Sequence, residues 1–586
     1  MRKILGCFII IMIMITSQIF AGTIYYVDAT NGSDSNSGTS PAIAWKTINK
    51  VNNSSFNPGD SILFKRGETW REQLIVPSSG SIGNPITFSA YGSAVMPIIT
   101  ARDSISGWDT AGNWTNEKSF LWYMPLANDP YRIFLFETEY IEAETKGDIN
   151  ISERWWYDSG NTNLYIYATS NPASFYSKIE GSNLSTYSSA IQLNGKDYIT
   201  IQELEVRGGY MAIDLDNSDH DIIDNCTVGL YAGRFGVRIE NNSDSNEVKN
   251  CTIESGLVNS TYSYISDVCD GIFIFDNSDN NKIHDNAISN WNHNCVSIEN
   301  TDNAKTANHN EVYENILSSP NTNYCRGIST DAGTSDDTCA YNKIYRNYIK
   351  NTTQRNQIHG NHNEFYYNIV DTVSASSVVA YAGSCDGLAM FAAEGQKCHD
   401  NKIYNNIFYN LGAYGIKIMG EAEWGDKQSN LFKNNIIMNW GAGKYGIHID
   451  DDATILDNTY QNNSLYKSGI TDVVYYGHDG ADDYPHTIAE FNAENGTASD
   501  VIGSNIGVDP LMTDPANDNF KLNPHSPCIN AGTDVSLTED YEGNAVPQGS
   551  APDIGAYEYG ELGETIIINP ILKIIINPII IKPIIK

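Results

Sequence analysis

The sequence predicts an all-β fold, a right-handed parallel β-helix of about ten or more coils, on the strength of three observations. A phrase of the form N-x-Φ-x-x-N-x-Φ, where Φ is apolar, recurs along the chain at spacings of 21 to 38 residues. A second phrase, which begins with Gly and alternates apolar with polar residues, recurs between its copies. Both phrases are short and rich in Ile, Val, Tyr and Phe, which is typical of strands.

The asparagine phrase indicates the scaffold. Its copies include NNKIHDNAI (280–288), NEVYENIL (310–317), NKIYRNYI (342–349), NEFYYNIV (363–370) and NLFKNNII (430–437). A drifting period in this range indicates a solenoid with loops inserted at its corners, and no helical stripe recurs with each copy. Asparagines stacked at an inward corner, Asn406 among them, would form a ladder of hydrogen bonds between coils.

The glycine phrase, seen as GVRIE, GIFIFD, GIKIMG and GIHIDD, indicates which side chains point outward. In GIKI, Ile416 and Ile418 face the core, so Lys417 and Met419 face away from it. This register predicts two outward columns whose members are about 4.8 Å apart from coil to coil. The first column is Arg238, Phe273, Ser297, Ser329, Gln357, Ala389, Lys417 and His448; the second is Glu240, Phe275, Glu299, Asp331, His359, Phe391, Met419 and Asp450.

Long insertions lie on both sides of these columns, which predicts a groove. Those before the strand are 254–270 and 372–386; those after it are 300–308, 331–340, 392–399 and 420–429. Loops on both edges of a rigid strand ladder form walls, and binding residues concentrate in such places. An elongated groove is suited to a polymeric substrate.

The candidate catalytic residues are Glu299, Asp331 and His359, on consecutive coils. Glu299 and Asp331 would lie near the roughly 5 Å separation of a retaining glycosidase. Glu240 and Glu299, two coils apart, would approach the larger inverting separation. Candidate substrate-binding residues are Arg238, Glu240, Lys417 and the aromatic residues Phe273, Phe275, Phe391 and Trp424, on which sugar rings could stack.

Three functions remain open on this evidence. The first is glycoside hydrolysis by the Glu299–Asp331 pair, with no cofactor required. The second is a uronate lyase, in which Lys417, His359 or Lys397 removes a proton and Ca²⁺ or Arg238 neutralises the uronate carboxylate. The third is a non-catalytic glycan-binding or adhesin-like surface protein. An acidic groove would repel a polyuronate unless Ca²⁺ bridged the two, which favours hydrolysis.

The candidate ligands for Ca²⁺ are Asp267 and Asp270, in the stretch SDVCD (266–270). Carboxylate oxygens are the ligands that Ca²⁺ prefers, although this stretch matches no EF-hand loop. The alternative is an acidic turn without a metal ion.

The two flanks carry a family resemblance. The stretches YYVDATNGSDSNSGTSPAIAWKTINKV near the start and GVDPLMTDPANDNFKLNPHSPCINAGTD with APDIGAYEYG near the end resemble secreted bacterial β-helix proteins of the pectin-lyase-like type. That group includes polysaccharide lyases and some glycoside hydrolases, so the resemblance implies fold and secretion rather than one activity. Neither an NSDDGWD-type calcium cluster nor the full NTD…DD…GHG…RIK set of polygalacturonases is present, and Ile358-His359-Gly360 matches only a fragment.

The composition indicates which kinds of binding partner to expect. Lys and Arg number 36 against 71 Asp and Glu, a formal net charge of −35, which makes nucleic acid and anionic membranes poor partners. Residues 1–21 have the basic start, apolar run and small residues of a signal peptide, so we expect a secreted or cell-surface protein. We expect a polysaccharide as the partner, no integral membrane span and a monomer.

The predicted domain layout follows from these features. After the signal peptide come an N-terminal cap with the first strands (22–185), the β-helix (186–505), a C-terminal cap segment (506–560) and an isoleucine-rich tail (561–586). Cysteines flank two loop-bearing segments, which predicts disulfides Cys325–Cys339 and Cys385–Cys398. The alternative is that all four are small buried apolar residues.

Overall fold

The computed structural model describes residues 22–560 except 128, 131, 136–137, 144, 152–153, 183–188, 231, 233, 256–268, 301–304, 321–323, 333–337, 375–384, 393–395, 421–424, 451–453 and 478–484. The predicted signal peptide (1–21) and the isoleucine-rich tail (561–586) lie outside the described residues. Each helix within the described part is too short or too polar to cross a membrane.

The predicted parallel β-helix is confirmed, and its coils are built from three long sheets. We name them sheet A, with 14 strands, sheet B, with 12, and sheet C, with 13. Each full coil passes from sheet C to sheet A and then to sheet B before it returns to sheet C. Neighbouring strands pair in parallel, except that the last two strands of sheet C pair antiparallel.

The strands of sheet A are Ile24–Val27, Ser61–Lys65, Ile86–Tyr91, Ile199–Gln202, Ile222–Asp224, Glu247–Lys249, Lys282–His284, Glu311–Tyr313, Lys343–Tyr345, Glu364–Tyr366, Lys402–Tyr404, Leu431–Lys433, Thr459–Gln461 and Val501–Gly503. Those of sheet B are Thr69–Trp70, Ile98–Thr100, Glu205–Arg207, Thr227–Val228, Thr252–Glu254, Ala287–Ser289, Ile316–Ser318, Tyr348–Thr352, Ile369–Val373, Ile407–Leu411, Ile436–Met438 and Ser464–Tyr466. Those of sheet C are Leu74–Ile75, Ser189–Gln192, Met211–Asp216, Phe235–Glu240, Asp270–Phe275, Asn294–Glu299, Arg326–Asp331, Asn356–Ile358, Leu388–Met390, Ile416–Ile418, Ile447–Ile449, Asp472–Tyr476 and Pro485–Thr487.

A separate sheet of eight strands is inserted in the sequence after the first coils, which pair directly with the next coil of the β-helix. Its strands, in spatial order, are Arg102–Ser104, Ile179–Ser182, Ile133–Leu135, Thr138–Glu142, Arg154–Asp158, Asn163–Tyr167, Leu121–Pro125 and Thr115–Lys118. It encloses its own apolar core, which includes Trp155 and Leu164. Two small sheets, Lys427–Gln428 with Ile455–Leu456 and Met512–Asp514 with Asn519–Leu522, complete the strands.

Helices are few and short. The α-helices of the described residues are Ile48–Asn52, Pro172–Phe175 and Ile488–Ala493, and the single-turn 3₁₀ helices are Pro41–Ile43, Ala111–Asn113, Lys146–Asp148, Thr497–Ser499 and Pro515–Asn517. Phe491 of the helix Ile488–Ala493 contacts Tyr460 and Tyr476 of the last coils, so this helix covers one end of the core. Residues 506–560 pack against the side of sheet B, where Phe520 and Ile554 contact Ile369 and Ile407.

The repeated asparagines form the predicted internal ladder, and a second ladder accompanies it. In the predicted one, the Asn406 side chain donates to the Asn435 side chain at 3.0 Å, and Asn435 donates to Asn463 at 3.0 Å. In the other, at the corner between sheets C and A, Asn401 donates to the Asn430 side chain at 3.0 Å. The side-chain amides of the ladder are buried. Their additional hydrogen bonds to the backbone of an adjacent coil satisfy polar groups that would be costly to bury without a partner.

The glycine that opens the second phrase is required by the close approach of the next coil. A Cβ atom on Gly236 would lie 2.5 Å from the carbonyl oxygen of Gly271, and one on Gly415 would lie 2.3 Å from that of Gly446. Such distances are far below van der Waals contact, so only glycine fits where the chain turns into sheet C.

Both predicted disulfides are wrong. All nine cysteines of the described chain are buried free thiols: 226, 251, 269, 295, 325, 339, 385, 398 and 528. Cys325 precedes the six-residue strand Arg326–Asp331 and Cys339 follows it, so the strand length of roughly 20 Å separates them. A disulfide needs Cα atoms within about 7 Å. Cys385 and Cys398 likewise flank the strand Leu388–Met390. All four cysteines are therefore small buried residues with free thiols, which is the alternative stated above.

Candidate active site

The register predicted for the outward columns is confirmed by the strand pairing of sheet C. Glu299 pairs with Asp331, so these residues lie on adjacent coils, and Gln357 pairs with Ser329 on one side and Ala389 on the other. The other pairs of the first column are Arg238–Phe273, Phe273–Ser297, Ser297–Ser329, Ala389–Lys417 and Lys417–His448.

Asp331 and His359 form a hydrogen-bonded pair at the centre of this face. His359 Nδ1 lies 2.7 Å from Asp331 Oδ1. The His359 side chain is 1% exposed, whereas that of Asp331 is 48% exposed. The other ring nitrogen, His359 Nε2, is buried and has no hydrogen-bond partner among the described residues. Asp331 can therefore hold a proton on Nδ1, which leaves Nε2 as a free acceptor.

Glu299, on the coil before Asp331, has a strongly shifted pKa. Burial and the nearby charge of Asp270 raise its pKa to about 7, and a hydrogen bond from the Ser297 hydroxyl opposes that rise only in part. The negative charge of Asp331 adds to the increase. At neutral pH a substantial fraction of Glu299 therefore carries a proton that it can donate.

Asp270 lies behind Glu299 in a polar network. Its Oδ1 atom accepts from His293 Nδ1 at 2.9 Å and from the Asn294 backbone amide at 2.8 Å. Its Oδ2 atom is buried and has no partner in the described part of the chain. Arg326 Nη1 lies 3.0 Å from His293 Nε2. Because arginine can only donate, Nε2 accepts from Arg326, whereas Nδ1 lies between Asp270 Oδ1 and the Asn294 side-chain amide, which is 2.8 Å away.

This network bears on the predicted metal site. Ligand atoms of Asp270, His293 and Glu299 lie within 4.8 Å of one another. Arg326 occupies the free nitrogen of His293, and a guanidinium beside a cation would be unfavourable. Only two carboxylates of the described residues remain there, fewer oxygens than Ca²⁺ prefers. Asp267, the other predicted ligand, lies outside the described residues.

The predicted substrate-binding residues Arg238 and Glu240 lie at one end of the face and bind each other. Arg238 Nε and Nη2 lie 2.9 and 3.2 Å from the two carboxylate oxygens of Asp214, and Arg238 Nη2 lies 2.9 Å from Glu240. Burial raises the pKa of Glu240 to about 7, and the charge of Arg238 opposes that rise. Since Arg238 is already paired in two directions, it is poorly placed to neutralise a substrate carboxylate.

The aromatic residues differ in exposure. Phe273, expected to be exposed, is 7% exposed, because it is stacked between Phe235 and Phe275 with ring centroids 4.6 and 4.9 Å away. Phe275 and Phe391 are partly exposed. The Phe391 ring stacks on His359 with centroids 4.9 Å apart. Trp424 lies outside the described residues.

Lys417 lies at the other end of the face. Its Nζ atom is 3.7 Å from Asp450 Oδ2 and 5.4 Å from the Tyr414 ring centroid. Burial alone would raise the pKa of Asp450, but the hydrogen bond from His448 and the charge of Lys417 leave it below its usual value. Lys417 is thus three coils from Asp331 and does not join the central group.

Sequence reasoning missed Asn294 and Arg326, which lie in line with Asp270, one step before the glycine position of the second phrase. Asp270 pairs with Asn294, and Asn294 with Arg326, which places them in a third column beside the predicted two. Arg355, just before the strand Asn356–Ile358, lies over the Phe391 ring at 5.6 Å. If the outward register had been continued to the residue before the glycine position, it would have identified Asn294 and Arg326. Arg355 could not be placed in this way, because the strand that follows it has no glycine to mark the register.

Comparisons with known proteins support the fold. No family model matches the chain. A lacto-N-biosidase of Bifidobacterium longum subsp. longum is 44% identical over 78 residues, which are 13% of this chain and 5% of that protein. The solved complex of XylC with xylose is similar with a TM-score of 0.52 at 14% identity, covering 92% of this chain and 99% of XylC. The pectate lyase Pel9A has a TM-score of 0.41 at 14% identity, covering 93% of this chain and 98% of that one. The resemblance to parallel β-helix proteins thus holds for the fold.

Proposed function

We propose that the protein is a carbohydrate-active enzyme that cleaves a polysaccharide along the outward face of sheet C, by glycoside hydrolysis with Glu299 and Asp331. The observation that carries this proposal is the pairing of two unlike carboxyl groups on adjacent coils. Glu299 has its pKa raised to about 7, and the partly exposed Asp331 lies beside it. Two carboxyl groups with different acidities are what an acid and a nucleophile require.

The chemistry would run in two steps. Glu299 donates its proton to the glycosidic oxygen as that oxygen leaves, while an Asp331 oxygen forms a bond to the anomeric carbon. Glu299, now a carboxylate, then takes a proton from water, and the hydroxide oxygen displaces Asp331 from the sugar. The strand spacing of roughly 4.8 Å between adjacent coils suits this retaining mechanism.

Glycan binding is supported by the remaining residues of the face. Phe275 and Phe391 offer partly exposed aromatic rings on either side of Glu299 and Asp331. The similarity to XylC, which was solved with xylose, and the short match to a lacto-N-biosidase agree with a carbohydrate ligand. With the signal peptide predicted for residues 1–21, the substrate would be an extracellular polysaccharide.

One observation favours a second candidate, β-elimination from a uronate. His359 Nε2 is buried without a partner, and Asp331 holds the opposite nitrogen, so His359 could remove the proton α to a uronate carboxyl group. In that mechanism Glu299 would protonate the leaving oxygen. Ca²⁺ is the cofactor that this alternative could use to neutralise the uronate.

A product assay separates these candidates. The purified protein is incubated with neutral and uronate polysaccharides, with and without a chelator. New reducing ends without ultraviolet absorbance from an unsaturated uronate support hydrolysis. The same ends with that absorbance contradict it and support elimination, and His359→Gln should then abolish the absorbance. A protein that binds a polymer and releases no product from any is a glycan-binding protein instead.

A further inference from the structure

Arg355 is a cation without a partner in a strongly acidic protein. Its guanidinium lies 5.6 Å from the centroid of the Phe391 ring, and the residue is partly buried. It makes no hydrogen bond or ion pair with any residue that the structure describes. The chain carries 71 acidic residues and 36 basic ones, so a guanidinium without an ion-pair partner among the described residues needs an explanation.

A second guanidinium, that of Arg326, lies on the preceding coil, because the strand that begins at Arg326 pairs with the strand that follows Arg355. Burial and the positive charge of Arg326 lower the pKa of Arg355. Arg326 donates to Tyr324 Oη at 2.7 Å and to His293 Nε2, and its own Nε is buried without a partner. The acid that most offsets the charge of Arg355 is Asp386, which acts on it through its charge and accepts from the Tyr414 amide at 3.1 Å. Two neighbouring guanidinium groups repel each other unless an anion lies between them.

The Phe391 ring connects Arg355 to the proposed reaction centre. One contact of that ring is Arg355, and another is His359, whose Nδ1 atom binds Asp331. A sugar bound over Phe391 would therefore present its substituents to Arg355 while the neighbouring sugar bond lay near Asp331. Two ring contacts and one hydrogen bond thus connect Arg355 to Asp331.

We propose that Arg355 and Arg326 form a subsite for an anionic substituent of the glycan, a uronate carboxylate or a sulfate ester, and that the substrate is an acidic polysaccharide. This inference rests on the proposed function for the position of the substrate. Guanidinium groups bind carboxylate and sulfate oxygens through paired, charge-assisted hydrogen bonds, whereas a neutral hydroxyl would leave the positive charge of Arg355 uncompensated.

The experiment measures binding rather than cleavage, so its outcome is independent of the reaction type. Four probes are compared at about 0.15 M salt, which screens the overall negative charge over roughly 8 Å: a polyuronate, the same polymer with its carboxyl groups reduced to alcohols, a sulfated neutral polymer, and the same neutral polymer without sulfate. Native affinity electrophoresis is run on the wild type and in a Glu299→Gln background, which prevents degradation of the probe by the proposed mechanism.

We expect the polyuronate or the sulfated polymer to bind, and carboxyl reduction or loss of sulfate to weaken that binding about tenfold or more. Arg355→Gln should weaken it by a similar factor. Lys343→Gln, which removes the same charge from an exposed position on sheet A, should change it less than about twofold. Whichever polymer binds identifies the anion as carboxylate or sulfate.

Two results would overturn the subsite. One is equal wild-type affinity for the charged polymer and its neutral counterpart; the other is a folded Arg355→Gln variant with wild-type affinity for the charged polymer. Circular dichroism and thermal melting confirm that each variant is folded. A protein that binds acidic polymers through Arg355 without cleaving any retains the subsite and loses the proposed function. A protein that hydrolyses only neutral polymers retains the hydrolysis and loses the subsite.

Discussion

His359 Nδ1 lies 2.7 Å from Asp331 Oδ1, although 28 residues separate the two along the chain. The bond joins two adjacent coils on the outward face of sheet C, and it leaves one histidine nitrogen free beside a partly exposed carboxylate. The His359 ring is buried against Phe391, whereas the Asp331 carboxylate is partly open to solvent. Under the proposed function this pair belongs to the reaction centre, together with Glu299 on the preceding coil.

Replacing Glu299 by glutamine tests the proposed acid. Because glutamine cannot donate a proton to the leaving oxygen, we expect Glu299→Gln to lower kcat/KM by about 10² to 10⁴ while the fold is retained. Initial rates on the substrate identified by the product assay provide the measurement. Glu311→Gln on sheet A is the matched control and should keep wild-type activity. A Glu299→Gln enzyme with full activity would exclude Glu299 as the acid.

The pH dependence of activity follows from the pKa of Glu299. With that pKa raised to about 7 by burial, the protonated acid is depleted as pH rises through 7, so kcat/KM should fall on the alkaline side with a midpoint near 7. A profile of kcat/KM from pH 4 to 9 gives the midpoint. Glu240 also has its pKa raised to about 7, so a Glu240→Gln variant separates the two groups. That variant should keep the alkaline midpoint if Glu299 is responsible.

Stability should respond to the same group in a defined direction. The folded state raises the pKa of Glu299 from its ordinary value of 4.5 to about 7, so it favours the protonated form. The resulting stabilisation is present below about pH 4.5 and is lost as pH rises through 7. Glu299→Gln should therefore reduce the loss of the free energy of unfolding between pH 5 and 8, measured by urea denaturation. Equal pH dependence in both proteins would contradict the raised pKa.

Asp331 determines the stereochemical prediction. If it attacks the anomeric carbon, hydrolysis proceeds with retention, and proton NMR should detect the product first in the anomeric configuration of the substrate. Asp331→Asn should abolish the covalent intermediate and lower kcat by about 10³ or more. Immediate appearance of the inverted anomer would instead indicate a water nucleophile activated by a more distant carboxylate such as Glu240.

The free thiols give a prediction independent of function. Alkylation in denaturant without a reductant should modify nine cysteines in the chain that begins at residue 22, with the same intact mass as after reduction. The physical reason is that the cysteines of each predicted pair lie at opposite ends of a strand. If the protein carried two or four fewer alkyl groups without reduction than after it, one or two disulfides would be present and the prediction would be contradicted.

Gly415 tests the close approach of adjacent coils. An added Cβ would lie 2.3 Å from the Gly446 carbonyl oxygen, so Gly415→Ala should lower the free energy of unfolding by about 2 kcal/mol. At Gly503 a Cβ would have no atom within 4 Å, so Gly503→Ala should change stability by less than about 0.5 kcal/mol. Denaturant unfolding of both variants measures the difference. Equal effects would show that coil spacing does not require the glycine at 415.

The repeated phrases by themselves determined the coil architecture. Asn406 and its equivalents specify an internal ladder, and the alternation around Ile416 and Ile418 specifies which residues point outward; the strand pairs confirm both. These predictions succeed because a repeat shows the same local environment many times, so pattern and backbone period agree in every coil.

The tertiary structure alone decided which outward residues contact one another. It buried Phe273 in an aromatic stack, paired Arg238 with Asp214, left the thiols of Cys325 and Cys339 apart, and placed Arg355 over Phe391. The register predicts which coil a side chain lies on. Its pKa and its partners depend on burial and on charges contributed by neighbouring coils, and segments some 25 to 40 residues apart do not encode those contacts in any local pattern.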